Sequence, residues 1–293
     1  MGLADTNKMA MTNRRAFLKS ATTLASGVFL SSLPACNSTT RFNGIGSKFG
    51  IQLYTLKDVL PNDPKDVLKQ LASFGYKQIE SYEGDKGMFW GMKNTDFKNY
   101  ISDLGMDIIA SHCDHRQKDF AHKVDQAAAI GMKYMICPYI GPQKTLDSFK
   151  RHADDFNKAG QLCKSRGLKF GYHNHEYTFK KVEGEFPQDV LIRNTDKELV
   201  DFEMDMYWVV DAGQDPIDWL KKYPGRFRLA HVKERKGKES ATLGTGEIKF
   251  ATILREAEKQ GMKYFFVEQE HYAGTTPLEA AKHGADYMKK LKI

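Results

Sequence analysis

The chain has 293 residues, 41% of them apolar and 28% charged, with 24 glycines and nine prolines; collagen-like, disordered and disulfide-scaffold chains do not have this profile. Its formal charge of +7 is unevenly distributed. Four of the 44 basic residues and one of the 37 acidic ones fall in the first 35 positions, leaving 40 against 36, too even a balance for a dedicated nucleic-acid binder.

Residues 13–36 read NRRAFLKSATTLASGVFLSSLPAC. A basic start with adjacent Arg14 and Arg15 leads into an apolar run, softened by Ala, Ser and Thr, from Ala21 to Leu33. That run is short of the roughly 20 apolar residues a membrane span needs and suits a removable export signal over residues 1–35. Arg14-Arg15-Ala16-Phe17-Leu18-Lys19 resembles the twin-arginine motif, whose pathway carries folded proteins. Leu33-Pro34-Ala35-Cys36 resembles a lipobox, with Pro34 the off-pattern residue. The expectation is an exported chain, periplasmic or held to a membrane by lipid on Cys36, with residues 36–47 as a flexible polar tether. Cys113, Cys137 and Cys163 remain, an odd number without paired spacing, so no disulfide framework is expected. Cys113 and Cys137 sit in apolar runs and read as small buried hydrophobes.

From residue 48 to 293 short β-rich runs alternate with amphipathic stretches. The predicted strands are Lys48–Thr55, Tyr76–Tyr82, Met106–Cys113, Lys133–Tyr139, Leu168–His175, Leu199–Asp205, Phe227–Glu234 and Lys263–Glu270. Between them apolar residues recur at helical spacing, as in Val67, Leu68, Leu71 and Phe74, or Ile253, Leu254 and Ala257. Gly75-Tyr-Lys, Gly105-Met-Asp, Gly131-Met-Lys, Gly167-Leu-Lys and Gly261-Met-Lys each read as the end of a helix and the opening of a strand, the glycine taking the left-handed conformation. Parallel strands joined by right-handed helical crossovers follow, and eight such units close most naturally into a single-domain α/β fold, the (β/α)8 TIM barrel. An open doubly wound sheet is the alternative, but no Gly-rich phosphate loop follows the first strand.

Barrel chemistry gathers at the carboxyl ends of the strands. Those ends carry Gln52 and Tyr54, Glu80 and Tyr82, His112 to Asp114, His173 to Glu176, Glu203 and Asp205, His231 and Lys233, and Glu268 and Glu270. Alternation puts His173 with His175, Glu203 with Asp205, and Glu268 with Glu270 on common faces. So many ionisable groups in one interior need compensation, and a divalent cation supplies it; mixed N/O donors suit Mn2+, Zn2+, Co2+ or Fe2+ without distinguishing them. His115, His122, His152 and His283 are expected in solvent, and Trp219 in the core. Trp90 and Phe89, in the long loop after the second strand, either cover the mouth and stack on a sugar or pack within their loop.

Gly50-Ile-Gln-Leu-Tyr-Thr, Tyr172-His-Asn-His, Phe202-Glu-Met-Asp-Met-Tyr-Trp-Val, His231-Val-Lys, Leu243-Gly-Thr-Gly-Glu-Ile and Phe266-Val-Glu-Gln together resemble the sugar phosphate isomerase/epimerase family of the xylose isomerase-like TIM barrel superfamily. The resemblance covers residues 48–291 and implies a divalent metal on His175, Asp205, His231 and Glu268, with Glu176 replacing His175 if the register slips by one. It implies that Glu80 and His112 line a substrate site, to which Tyr54, Trp90, Trp208 and Glu270 are added as substrate contacts. Trp208 stands where endonuclease IV of the same superfamily has a further histidine, which argues against DNA repair. A histidine on strand five argues against the symmetric two-glutamate chemistry of ketose epimerases.

The implied chemistry is proton abstraction next to a sugar carbonyl, with an enediolate stabilised by the metal. Glu268 or Glu80 is the expected base, His173 the returning acid, and Lys233 the partner of developing charge or of a salt bridge to Glu234, Glu268 or Glu270. Isomerisation or epimerisation is the favoured outcome, with 3-oxo-glycoside elimination and non-catalytic sugar binding as alternatives. The expected partner is a small sugar or glycoside rather than a nucleic acid. Sugar phosphates are mainly cytoplasmic, so an export signal favours a neutral one, although the Leu243-Gly-Thr-Gly loop could hold phosphate.

Overall fold

The computed structural model describes residues 48–292; the export signal, the lipobox and the tether expected over residues 1–47 lie outside them. Strands β1 (Gly50–Gln52), β2 (Gln78–Tyr82), β3 (Asp107–His112), β4 (Tyr134–Cys137), β5 (Lys169–His173), β6 (Val200–Asp205) and β7 (Phe227–Val232) follow one another around a closed barrel. Strand β10 (Tyr264–Val267) completes the ring between β7 and β1, every pairing being parallel. This is the (β/α)8 TIM barrel expected from eight strand–helix units. An antiparallel hairpin, β8 (Glu234–Lys236) with β9 (Glu239–Ala241), follows β7 outside the barrel.

The barrel strands are shorter than the apolar runs that announce them. After Gln52 the chain turns into a 3-10 helix, Leu53–Leu56, because the Gln52 side chain accepts the Tyr54 N–H at 3.0 Å. Likewise the last strand ends at Val267, with one more bond from the Glu268 N–H to the Val232 carbonyl at 3.2 Å before the chain turns away. The ladders end within the polar mouth, with Gln52, His112, His173 and Asp205 the last residues of their strands.

The first crossover shows how the helices are set. Helix α1 (Pro64–Phe74) starts at Asp63, whose carboxylate accepts the Asp66 N–H at 3.0 Å, with Pro64 preset for the first turn. It buries Val67, Leu68 and Leu71 against the barrel and stops at Gly75. Truncating a fully buried leucine such as Leu71 to alanine costs about 2–5 kcal/mol. The five expected junction glycines, at 75, 105, 131, 167 and 261, all have positive φ, from 72° to 102°, a region open to glycine without penalty.

A large apolar shell lies between strands and helices and includes Trp219. Ala110, Tyr134, Ile136, Leu229 and Phe266 form a second cluster. Leu229 shares a strand face with His231, and Phe266 with Glu268, so this cluster fills the barrel beneath the polar mouth. Cys113, Cys137 and Cys163 are buried free thiols. Of the four histidines expected in solvent, His122 and His283 are exposed, whereas His115 and His152 are half-buried. Phe156 and Phe170 lie 5.4 and 5.3 Å from the His115 ring: an aromatic cluster beneath the loop after β3 drew it inward.

Candidate active site

Parallel register brings the polar strand ends to one level. His173 lies beside Glu203, Asp205 beside His231, and Gln52 beside Glu80. Two four-residue sets result, Glu80–His112–Glu203–His231 and His173–Asp205–His231–Glu268, in each of which all donor atoms lie within 4.8 Å of one another. In the first, His112 Nε2 is 2.9 Å from Glu203 Oε2, and His231 Nε2 is 2.7 Å from Glu80 Oε2. In the second, His231 Nδ1 is 3.1 Å from Glu268 Oε2 and 3.8 Å from Asp205 Oδ2, while His173 Nε2 is 3.4 Å from Asp205 Oδ2.

Of the four ligands implied by resemblance, Asp205, His231 and Glu268 come together, and the fourth place in their set belongs to His173. His175 stands outside it: strand β5 ends at His173, strict alternation fails beyond that residue, and the His175 ring lies 5.0 Å from the His173 ring, flat against Tyr177 and 5.2 Å from Trp208. Glu176 opens a 3-10 helix and pairs with Lys180 at 3.6 Å. Glu203, given no role on sequence grounds, joins the first set; its signal was its shared face with Asp205.

Burial dominates the electrostatics. Burial and the Glu203 carboxylate push Glu80 up to about 7. Burial pushes Glu203 the same way, but His231 and His112 outweigh it and hold that group at about 2. Burial is likewise outweighed at Asp205 and Glu268, which lie below the usual carboxylate range chiefly because of Lys233. Burial and neighbouring histidines lower His173, and take His175 down to about 2. His112 is raised, Glu80 and Glu203 overcoming its burial. Glu80 Oε1, Glu203 Oε1 and Asp205 Oδ2 are buried without a hydrogen-bond partner. Carboxylate oxygens in that condition, beside imidazole nitrogens, are the donor set a divalent cation satisfies.

Lys233 is fully buried between Glu270 at 2.9 Å, Glu268 at 3.2 Å and Asp205 at 3.7 Å, over the Trp208 ring. Glu234 is not its partner. That carboxylate accepts the N–H groups of Arg235, Gly244 and Ile248 at 3.0–3.1 Å and so occupies the Leu243-Gly-Thr-Gly loop from within.

Above the two sets opens a cavity of about 530 Å³, lined among others by Tyr54, Tyr82, His112, Tyr139, Glu268 and Glu270. His112, Tyr54 and Glu270 thus stand where substrate contacts were expected. Trp90 does not: its indole is buried, donates to Ser81 Oγ at 3.1 Å and packs edge-on against Tyr82, behind the cavity wall. Trp208, half-buried, stands beside the cavity lining, against His175 and Lys233. Glu80 is sealed below by Gln52 Nε2 at 2.9 Å and by His231.

Residues 68–291 match the family model of the xylose isomerase-like TIM barrel. An inosose dehydratase of Clostridium perfringens (strain 13 / Type A) is 29% identical over 165 residues, 49% of this chain and 55% of that protein; the chain thus spans about half the length of the first curated relatives it matches. An inosose dehydratase of Mesomycoplasma hyopneumoniae (strain J) is 28% identical over 83% of this chain and 85% of its own length. The crystal structure of a sugar phosphate isomerase/epimerase from Parabacteroides distasonis ATCC 8503 superimposes with a TM-score of 0.74 at 29% identity, over 89% of this chain and 100% of that one.

Proposed function

The chain belongs to the xylose isomerase-like TIM barrel family, and from its mouth we propose a divalent-metal-dependent lyase that removes the proton next to the carbonyl of an uncharged sugar-type substrate and expels a group from the adjoining carbon. The carrying observation is the set His173, Asp205, His231 and Glu268, in which β5 contributes an imidazole. Epimerisation at one carbon takes a proton from one face and returns it to the other, which calls for two opposed bases. Elimination needs one base and one acid at the leaving group. Relatives named inosose dehydratase support this reading; the neighbour named an isomerase/epimerase keeps that outcome as the second reading.

When bound, a divalent ion supplies Lewis-acid polarisation of a carbonyl and its neighbouring hydroxyl. Of the two carboxylates expected as base, Glu268 lines the cavity, so we assign proton abstraction to it. Lys233, 3.2 Å away, keeps Glu268 ionised and offsets negative charge developing on the substrate. His112, also facing the cavity and raised by Glu80 and Glu203, protonates the leaving oxygen. His173, whose Nε2 faces Asp205 at 3.4 Å and His231 at 3.2 Å and whose imidazole is kept neutral by burial, is no longer assigned as an acid.

The pairing of most cations near the mouth supports an uncharged substrate; Lys57 instead donates to the Glu270 carbonyl beside the Tyr54 ring. Lys233 is held by Glu268 and Glu270, Lys123 by Glu83 and Asp119, and Arg116 by Asp114. Chelated protein reloaded with Mn2+, Zn2+ or Co2+ and incubated in D2O with an inosose or a 3-oxo-glucoside tests the assignment. Metal-dependent formation of an unsaturated, ultraviolet-absorbing product, abolished in Glu268→Gln, is expected. Deuterium incorporation without that product identifies an epimerase instead, and full turnover without metal overturns both.

A further inference from the structure

Four of the five junctions place a lysine two residues after the glycine that ends a helix, at Lys77, Lys133, Lys169 and Lys263, and nothing at the mouth uses them. Lys77 and Lys133 precede β2 and β4 by one residue, Lys169 opens β5, and Lys263 precedes β10. Lys48 lies just before β1, Lys197 before β6, and Arg226 and Arg228 flank the first residue of β7. The amino-terminal rim of the barrel therefore carries eight cations. The acids beside them include Asp107, Asp196, Glu198 and Asp201; Asp107 is paired with Lys98 at 3.3 Å, and Asp201 lies 4.0 Å from Lys169 and accepts the Tyr134 hydroxyl at 2.8 Å.

Within this rim lies a cavity of about 430 Å³ lined by Tyr134, Lys169, Asp201, Arg226, Arg228 and Lys263, together with neighbouring loop residues. Arg226 is oriented by the carbonyls of Ile192, Thr195 and Val200, and its Nε is buried without a partner. The opposite end, by contrast, is lined by Glu83, Asp114, Glu268 and Glu270.

We propose that the amino-terminal face of the barrel docks on an anionic phospholipid surface, a headgroup phosphate entering the central cavity and the mouth facing away. The charge is complementary, and residues 1–47 join the barrel at this same face, through Lys48 and β1. Eleven residues separate Cys36 from Lys48, a reach of at most ~40 Å. Lipid on Cys36, as the sequence leads one to expect, would hold this face toward the bilayer, where the basic patch adds its own attraction. Each cation near such a surface changes partitioning about fivefold, and the attraction is screened by salt. The proposal stands independently of the reaction at the mouth.

The test uses the full-length chain with Cys36→Ser, which removes lipid from the measurement, sedimented with phosphatidylglycerol-containing or pure phosphatidylcholine vesicles. Binding to the first and not the second, falling several-fold between about 50 and about 300 mM salt, is expected. The exposed triple variant K77E/K133E/K263E should bind at least about tenfold more weakly with unchanged melting temperature, and Lys158→Glu, an exposed change on the helix Leu146–Ser165, should bind normally. Equal binding to both vesicles, retention in the triple variant, or no vesicle binding overturns the proposal. So does binding of inorganic phosphate alone, which marks a soluble-anion site, or of duplex DNA in place of vesicles.

Discussion

Nε2 of His231 stands 2.7 Å from Glu80 Oε2, while Nδ1 of the same ring stands 3.1 Å from Glu268. One imidazole thus belongs to both donor sets, and the two cannot be filled independently. If Nδ1 serves the set that opens on the cavity, the remaining ring proton lies on Nε2 and points at Glu80. Glu80 then fixes the orientation of a ligand instead of touching substrate.

The first consequence concerns the histidine pair on β5. His173→Ala removes a donor from the set and should weaken Mn2+ or Zn2+ binding by more than about 100-fold, beyond the 10–100-fold typical of losing an outer partner. His175→Ala should change it less than about tenfold. Isothermal titration of both variants decides this; the reverse order would restore His175 as the ligand.

A second prediction separates the two buried glutamates in metal-free protein. Glu80, pushed up to about 7, tolerates a neutral isostere, so Glu80→Gln should shift stability by no more than about 1 kcal/mol. Glu203 sits at about 2 because His231 and His112 depend on its charge. Glu203→Gln leaves those imidazoles without their counter-charge and should cost about 3 kcal/mol. Urea denaturation near pH 7 measures both.

His115 sets a pH window. Burial holds its imidazole at about 4 against an ordinary 6.5, and neither ring nitrogen has a hydrogen-bond partner. The unfolded chain therefore takes up this proton first. Stability is complete above about pH 6.5, declines as pH falls toward 4, and levels off below it, by about 2 kcal/mol for a half-buried group. His115→Leu should remove that part of the acid sensitivity, visible as a flatter dependence of melting temperature on pH than in the parent protein.

Much of this molecule was legible in the sequence. Eight β-rich runs and the Gly-x-Lys junctions announce the barrel because both come from local chemistry: strand burial and left-handed helix ends. The polar residues of the mouth were legible because carboxylates and imidazoles at strand ends have no apolar explanation. What escaped depends on where pairing stops. The alternation expected along β5 runs two residues past the end of that strand, so His173 and not His175 stands in the set with Asp205, His231 and Glu268, and Trp90 was open to the mouth only until its N–H found Ser81. His115 depended on Phe156 and Phe170, distant in sequence.

The carboxylate of Glu234 holds three loop N–H groups, so Glu234→Ala should cost about 2–4 kcal/mol through unsatisfied donors. Added inorganic phosphate should recover part of the lost melting temperature in this variant and none in the parent protein. Failure of phosphate to stabilise the variant would show that the loop collapses once its own anion is gone.

Asn174 stands between the two histidines, its side-chain amide donating to the Asp205 carbonyl and accepting the Asp205 N–H, both at 3.2 Å. A side chain there imitates one more rung of the β5–β6 ladder after the backbone has turned away. His173 is thereby welded to the frame, whereas His175, one residue past that last rung, rides on the rim. Neighbouring imidazoles of the same motif are thereby held by different means, His173 by the strand frame and His175 by the aromatic rings of Tyr177 and Trp208.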